Sequence, residues 1–314
     1  MNGGDFLAPS DPTISVVVCT FNRKDMIVNC IQSLLRQGYE KKEIIVVDDA
    51  STDGTYEILK AYNSIRVIRH DTEKGSSHSK NEGVKEASGK IIAFTDDDCI
   101  VSENWLEEIS HAIRGCDMVG GPVRPLLNGP VPPWWDDGLF WVIGVSPKLS
   151  IRIQHQNSPN YPFGSNMAIR KDILEKMQGF NEKLSRFNGG LLGTEDVELC
   201  DKMSKLGHTI KLNSRMVVYH SVPRHRLTFR YVLRRARAEG VSNFIRGETF
   251  TNNLKWLSIN LLLFFITRKM SKFAACVAYA SYFYSSFGFK RQNSKSRARS
   301  LKDHQRKNAR YVSA

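Results

Sequence analysis

The chain is poor in the features that would place it in several common classes. Its six cysteines, Cys19, Cys30, Cys99, Cys116, Cys200 and Cys276, form no Cys-x-x-Cys pair. A zinc site is therefore unsupported. Several of them sit in or beside apolar runs, where a free thiol packs as a small hydrophobe, and this points to a reducing, cytosolic compartment. The first dozen residues, Met1 to Pro12, lack the basic-then-apolar pattern of a signal peptide. No internal repeat is present, and no Ser-His-Asp order suggests a nucleophilic triad. Of the two apolar stretches near the C-terminus, residues 254–267 fall short of the roughly 20 residues a spanning helix needs. Residues 273–289 come closer but carry Ser and Tyr. The aromatics within the basic run that precedes them, Phe229 and Tyr231, are too few for a nucleic-acid module.

What the chain does have is a core-forming composition and an uneven charge. Its 314 residues are 41% hydrophobic, enough for one large domain and an appendage. The formal net charge is +13. Much of the excess follows residue 220, in Arg224-His225-Arg226, Arg230, Arg234-Arg235, Arg237 and the tail between Lys290 and Arg310. Basic charge gathered in this way points to an anionic partner.

The first 120 residues alternate short apolar runs with helical spacing. Strands are expected at 14–19, 43–47, 65–68 and 91–94, and helices at 25–36, around Ile58-Leu59, at 76–87 and from Ser102 to Ile113. That alternation implies a mostly parallel, doubly wound α/β sheet. From Gly120 the pattern breaks into a Gly- and Pro-rich stretch containing Trp134-Trp135, long enough to suggest a functional loop. The most informative feature is the trio Asp96-Asp97-Asp98 after the run Ile91-Ile92-Ala93-Phe94. Three adjacent carboxylates at the end of a buried strand need a counter-charge, and a divalent cation such as Mg2+ or Mn2+ suits them. In open α/β sheets the ligand crevice lies at this end of the strands.

Six motifs carry a family resemblance when taken in order. Cys19-Thr20-Phe21-Asn22-Arg23 resembles the first-strand loop of the family 2 glycosyltransferases, and Val47-Asp48-Asp49-Ala50-Ser51 their second motif. Lys80-Asn81-Glu82-Gly83 and Thr95-Asp96-Asp97-Asp98 are similar to the third and fourth, and Gly164-Ser165-Asn166-Met167 and Thr194-Glu195-Asp196 to the acceptor half. The resemblance implies a GT-A fold: a Rossmann-like, doubly wound mixed sheet, here with a C-terminal helical, membrane-associated extension. It further implies a nucleotide-sugar donor, Mn2+ or Mg2+, and inversion at the anomeric carbon. Thr20, Asn22, Arg23, Asp48, Lys80, Asp96 and Asp97 become donor-binding candidates. Asp98 and His220 become metal candidates, with Asp196 as general base and Glu195 beside it. Trp134, Trp135 and Asn166 are the acceptor-side candidates. Cys19 replaces a usual proline, and Lys80 a usual arginine, which keeps charge but loses the bidentate fork.

Blander roles stand beside these. Asp49 or Ser51 can cap the next helix, leaving Asp48 as the ligand group. Glu195 and Asp196 also suit the acidic first turn of a helix over 197–206. Trp134-Trp135 can pack under a loop, stack on a sugar or dip into lipid. His220 follows an apolar run and can be a core histidine, and the run Arg224 to Arg237 reads as a solvated helix face.

The expected organisation is a catalytic domain over 1–220, with a nucleotide-sugar half (14–121) and an acceptor half (122–220). A basic and apolar helical region (221–289) and a basic tail (290–314) follow. A spanning hairpin at 254–289 would put Arg268, Lys269 and Lys272 outside, against the positive-inside tendency. In-plane or re-entrant insertion at the cytoplasmic face of the cell membrane, against anionic lipid, fits better. Packing of both helices on the catalytic domain is the soluble alternative. The expected reaction moves a sugar to a glycan or lipid-linked acceptor, with no nucleic-acid partner. The rival is a nonenzymatic membrane or nucleic-acid adaptor using the basic C-terminal region, which has no need of Asp98 or Asp196.

Overall fold

A computed structural model describes residues 13–146, 161–186 and 190–286. The expected basic tail, the first dozen residues and the end of the second apolar stretch lie outside them. The chain opens with β1 (Ile14–Thr20), α1 (Lys24–Leu35), β2 (Lys42–Asp48), α2 (Thr55–Lys60), β3 (Arg66–Arg69), α3 (Ser76–Glu86) and β4 (Ile91–Phe94). β1 pairs in parallel with both β2 and β4, so Val16 faces Ile44 on one side and Ala93 on the other. β2 and β4 are covered on both sheet faces, which is why they read as unbroken apolar runs rather than alternating ones.

Side-chain alternation then sorts the core into two layers. Val16, Val18, Ile44, Val46 and Ala93 pack against Ile27, Ile31 and Leu34 of α1 and against Trp105, Leu106 and Ile109 of α4 (Trp105–Ala112). Their neighbours Val17, Ile45, Val47, Ile92 and Phe94 pack against Val84 of α3 and elements further along the chain. These are α5 (Lys171–Lys176) and α6 (Glu195–Lys205), through Leu174, Leu199 and Met203.

β5 (Cys99–Val101), β6 (Met118–Gly120), β7 (Val123–Leu127), β8 (Met167–Arg170), β9 (Ile210–Leu212) and β10 (Val218–Val222) complete the strands. The main sheet runs β3-β2-β1-β4-β8-β6-β9. β8 enters it antiparallel to both β4 and β6. The sequence reading anticipated a mostly parallel sheet, and up to β4 it is one. Between β6 and β8 no described α-helix crosses back over the sheet, and a parallel return needs such a crossover, whereas β9, which follows α6, runs parallel to β6. β5, β10 and β7 form a second, three-stranded sheet. β10 crosses the boundary expected at residue 220.

Asn166, expected as an acceptor contact, instead joins the two sheets. It is fully buried; its Oδ1 accepts from Trp105 Nε1 at 2.9 Å, and its Nδ2 donates to the carbonyls of Pro122 and Met216 at 3.0 and 2.8 Å. With its amide committed in this way, the side chain is a structural cross-link.

Three helices follow: α7 (Phe229–Ile245), α8 (Phe250–Thr267) and α9 (270–286). A third apolar cluster joins Val232 and Ala236 of α7 and Ala274 of α9 to Val123, Leu139, Ile143 and Val222. Trp134 and Trp135 belong to this cluster, with Trp134 edge-on to Phe229 at 6.0 Å and Trp135 to Phe140 at 6.1 Å. The pair packs against this cluster, and neither ring is among the residues that line the cleft described below. Among the described residues no helix is long and apolar enough to cross a membrane.

Truncating Asn166 to Ala leaves the Trp105 indole N–H and the Met216 carbonyl buried without a partner, each a penalty of about 1–3 kcal/mol, while the Pro122 carbonyl keeps its bond from Val218 N at 3.1 Å. Urea unfolding of Asn166→Ala is expected to show a loss of about 3 kcal/mol or more; a loss under ~1 kcal/mol would mean that water replaces the amide.

Candidate active site

The carboxyl ends of β1, β2 and β4 open into a cleft of about 360 Å³. Thr20, Arg23, Asp49, Lys80, Asp96, Asp97 and Asp98 line one side, and Gly164, Glu195, Asp196, His220, Arg226, Tyr231 and Arg235 the other. It lies at the strand ends, as the aspartate cluster implied.

Local chemistry shapes each wall. Asn22 adopts a left-handed backbone (φ 54°), which Asn tolerates. Its Oδ1 accepts from Thr52 N at 2.8 Å, so it fastens the β1 loop to the β2 loop and is absent from the cleft wall, contrary to the donor-binding expectation. Asp48 is likewise fully buried behind the wall, with Oδ1 accepting from Ser51 N at 3.1 Å. The expected division between the two acids is reversed: Asp48 holds the turn and Asp49 lines the cleft. Asp49 accepts from Lys74 N and Gly75 N at 2.9 and 2.7 Å, and its Oδ1 lies 2.7 Å from His70 Nδ1. Cys19, the proline replacement, lines the cleft without disturbing β1.

The three aspartates occupy the turn between β4 and β5, and each meets different neighbours. Thr20 Oγ1 donates to Asp97 at 2.8 Å, and the Arg23 guanidinium lies 3.9 Å away. Burial, then the charge of Asp98, still pushes the Asp97 carboxyl up to about 7. Burial opposes ionisation of Asp98 too, but His220 and Arg226 hold it well below the usual carboxylate range. His220 Nε2 is 3.2 Å from Asp98 Oδ1, and Arg226 Nη2 donates to Oδ2 at 3.1 Å. Arg226 Nη1 lies 3.1 Å from His220 Nε2, which closes the triangle. Asp96, Asp98 and Cys99 bring potential ligand atoms within 4.8 Å of one another. Burial and the nearby Asp98 charge push the Cys99 thiol well above its ordinary value. The carboxylate oxygens of Asp96 and Asp98 are the hard donors of this cluster, and they suit Mn2+ or Mg2+ better than a soft metal.

On the opposite wall, Thr194 precedes α6 in a left-handed conformation (φ 75°), a strained state for a β-branched residue. It presents Glu195 and Asp196 to the cleft. Lys80 Nζ pairs with Glu195 Oε1 at 2.7 Å, so the ammonium expected near the donor diphosphate is engaged by a carboxylate. Burial works against the Lys80 charge, but Glu195 keeps it protonated. Asp196 Oδ2 accepts from Gly164 N at 2.8 Å and Oδ1 from Val197 N at 2.8 Å, which fixes the carboxylate. A Cβ on Gly164 would stand 3.3 Å from both Asp196 Oδ2 and Lys80 Nζ; only glycine lets the backbone pass so close.

The basic run is solvated, as expected, at Arg224, Arg230, Arg234 and Arg237, but Arg226 and Arg235 turn inward. Both are buried, Arg226 against Asp98 and Arg235 against Glu239 at 3.0 Å. The available signal was Glu239, four residues after Arg235 and acidic in a basic run; nothing comparable marked Arg226.

Because its folded-state pKa is raised, Asp97 binds more protons folded than unfolded between its ordinary value near 3.8 and about 7. Its contribution to stability therefore falls as pH rises through that window. Metal-free Asp97→Asn is expected to gain stability relative to wild type from pH ~4 to ~8; a pH-independent difference in Tm would contradict this.

The described model for "Glycosyl transferase family 2" matches residues 15–178. Glycosyltransferase AglE of Haloferax volcanii is 37% identical over 208 residues, which cover 63% of this chain and 64% of that protein. The chain thus spans just under two thirds of that relative. Glucosyl-dolichyl phosphate glucuronosyltransferase from the same organism is 23% identical over 73% of this chain and 75% of its own length. Among solved structures, a mannosyltransferase from Pyrobaculum calidifontis, in complex with GDP-Man and Mn2+, superposes with a TM-score of 0.57 at 18% identity. It covers 93% of this chain and 81% of that one, and carries the GT-A likeness of the fold. These matches speak against the adaptor alternative: the chain belongs to glycosyl transferase family 2.

Proposed function

We propose that this protein is an inverting, metal-dependent glycosyltransferase that moves a sugar from a nucleoside-diphosphate donor to a hydroxyl of a lipid-linked or growing glycan. The observation that carries the reading is the pairing, across one cleft, of the clustered Asp96 and Asp98 carboxylates, with His220 beside Asp98, and the fixed carboxylate of Asp196. The metal seen with the mannosyltransferase and the dolichyl phosphate named for the glucuronosyltransferase support the cofactor and acceptor classes.

In this reading Asp96, Asp98 and His220 would hold Mn2+ or Mg2+, which would supply Lewis acidity toward the departing diphosphate. Thr20, Arg23 and Asp97 shape the nucleotide side of the cleft, with Asp49 in the place first given to Asp48. Asp196 takes the proton of the acceptor hydroxyl as its oxygen attacks the anomeric carbon. The bond from that carbon to the diphosphate breaks on the opposite face, so the configuration inverts in one displacement. Glu195, neutralised by Lys80, positions the start of α6 instead of sharing the proton. The catalytic unit runs through residue 220 and is completed by the basic helical region, since Arg226, Tyr231 and Arg235 line the same cleft.

Asp196→Asn keeps size but takes no proton. Turnover is expected to fall by roughly a hundredfold or more with donor affinity near wild type, whereas Asp98→Ala is expected to lose both turnover and metal-dependent nucleotide binding. A fully active Asp196→Asn enzyme would remove Asp196 from its role.

The site of action follows from α8, whose polarity is inverted. It buries Asn253 and Asn260 with Trp256 and exposes Leu254, Leu261, Leu262, Phe265 and Ile266 along one stripe. Arg268, Lys269 and Lys272 follow at its end. An apolar stripe with a basic flank fits an anionic membrane surface at the cytoplasmic face, with the helix lying in the interface. Sedimentation with anionic vesicles is expected for the full chain, and Leu262→Glu with Phe265→Glu is expected to lower the partition at least ~10-fold. Equal partition of variant and wild type would place lipid binding elsewhere.

A further inference from the structure

Behind the cleft, outside its lining, three side chains converge that the transfer reaction does not use. His70 follows β3, and His78 and Glu82 sit four residues apart on the outer face of α3. His70 Nε2 and His78 Nε2 each lie 3.3 Å from Glu82 Oε2, and the three ligand atoms fall within 4.8 Å of one another. We propose that His70, His78 and Glu82 form a second metal site, for Zn2+ or a similar borderline transition metal, distinct from the aspartate centre.

Four features carry it. The first is donor chemistry: two imidazoles and one carboxylate suit zinc, cobalt or nickel, whereas the aspartate cluster suits a hard cation. The second is spacing. Ligands at about 2.0–2.1 Å around a tetrahedral ion stand about 3.3 Å apart, which both His–Glu separations match. The third is an orphaned atom: His70 is buried, and its Nε2 makes no hydrogen bond although Glu82 is close. An imidazolium there would donate to Glu82, whereas a neutral ring aims a lone pair at the ion. The fourth is an outer shell. His70 Nδ1 meets Asp49 Oδ1 at 2.7 Å and His78 Nδ1 meets Glu182 Oε1 at 3.1 Å. A carboxylate on the far nitrogen fixes the tautomer that leaves Nε2 free to ligate.

His78 and Glu82 are about a third exposed, so one side is open to a water as fourth ligand. The absence of Cys-x-x-Cys spacing argued only against a thiolate site. An ion here staples the end of β3 to α3 and closes the loop at residues 71–75, whose Lys74 and Gly75 amides already bind Asp49. It fixes the wall of the donor cleft from behind.

The test uses metal-stripped, full-length protein titrated with Co2+ and followed by visible absorption, with Zn2+ as competitor and circular dichroism to verify folding. One equivalent of Co2+ is expected to give d–d bands that Zn2+ abolishes. The bands should persist in Asp98→Ala and disappear in His78→Ala and in Glu82→Ala, partly exposed positions where truncation opens no core cavity. Glu182→Gln, which touches only the outer shell, should weaken affinity about 10- to 100-fold. Zn2+ should raise the Tm of wild type and leave that of His78→Ala unchanged. Bands that never form, that survive in His78→Ala, or that vanish only in Asp98→Ala would overturn the proposal.

Discussion

The structure around the cleft depends on the compensation of one buried charge. Asp98 sits at the end of a strand with no exposed face, where an unpaired carboxylate costs several kcal/mol. Its partners come from far along the chain: His220 from β10 and Arg226 from the turn after it. The pairing therefore draws the second sheet onto the first. It turns Arg226 inward from a basic segment that is otherwise largely exposed. Removing Arg226 would leave the acid with only the His220 ring beside it, among two further carboxylates.

The same logic operates across the cleft with the signs arranged differently. Lys80 from α3 neutralises Glu195 at the start of α6, so one of two adjacent acids is matched and the other is aimed by backbone N–H groups. Two acids next to each other in sequence thus take different roles because of what folds against each. Asp48 and Asp49 divide in the same way, one into the turn and one into the cleft.

The donor half was legible because its code is local. Unbroken β-branched runs, helical spacing and the carboxylates at strand ends fix β1 to β4 and the helices between them within a residue or two. The order of six motifs identified the family where no single motif could. What escaped depends on contacts distant in sequence. Period and propensity say nothing of an antiparallel return such as β8, or of an amide such as Asn166 bonded to residues about 60 positions before and 50 after it. Arg226 and Arg235 look like any surface arginine until their partners arrive. Trp134 and Trp135 carry the same ambiguity, since an indole suits a sugar, a lipid or a core equally well.

The seating of β8 between β4 and β6 has a consequence for how the chain assembles. β6 is made about 45 residues before β8, yet it reaches β1–β4 through β8, and its other neighbour, β9, is made later still. Until β8 emerges, β4 presents an apolar edge without its final neighbour, and β6 has no sheet to join. Nucleation must then begin in the local β1–β4 half, while the acceptor half condenses late through long loops, as high contact order implies. A chain halted before residue 167 would expose a ready template for another strand. Aggregation of truncated or slowly translated chains is the cost of placing the returning strand in the middle of the sheet.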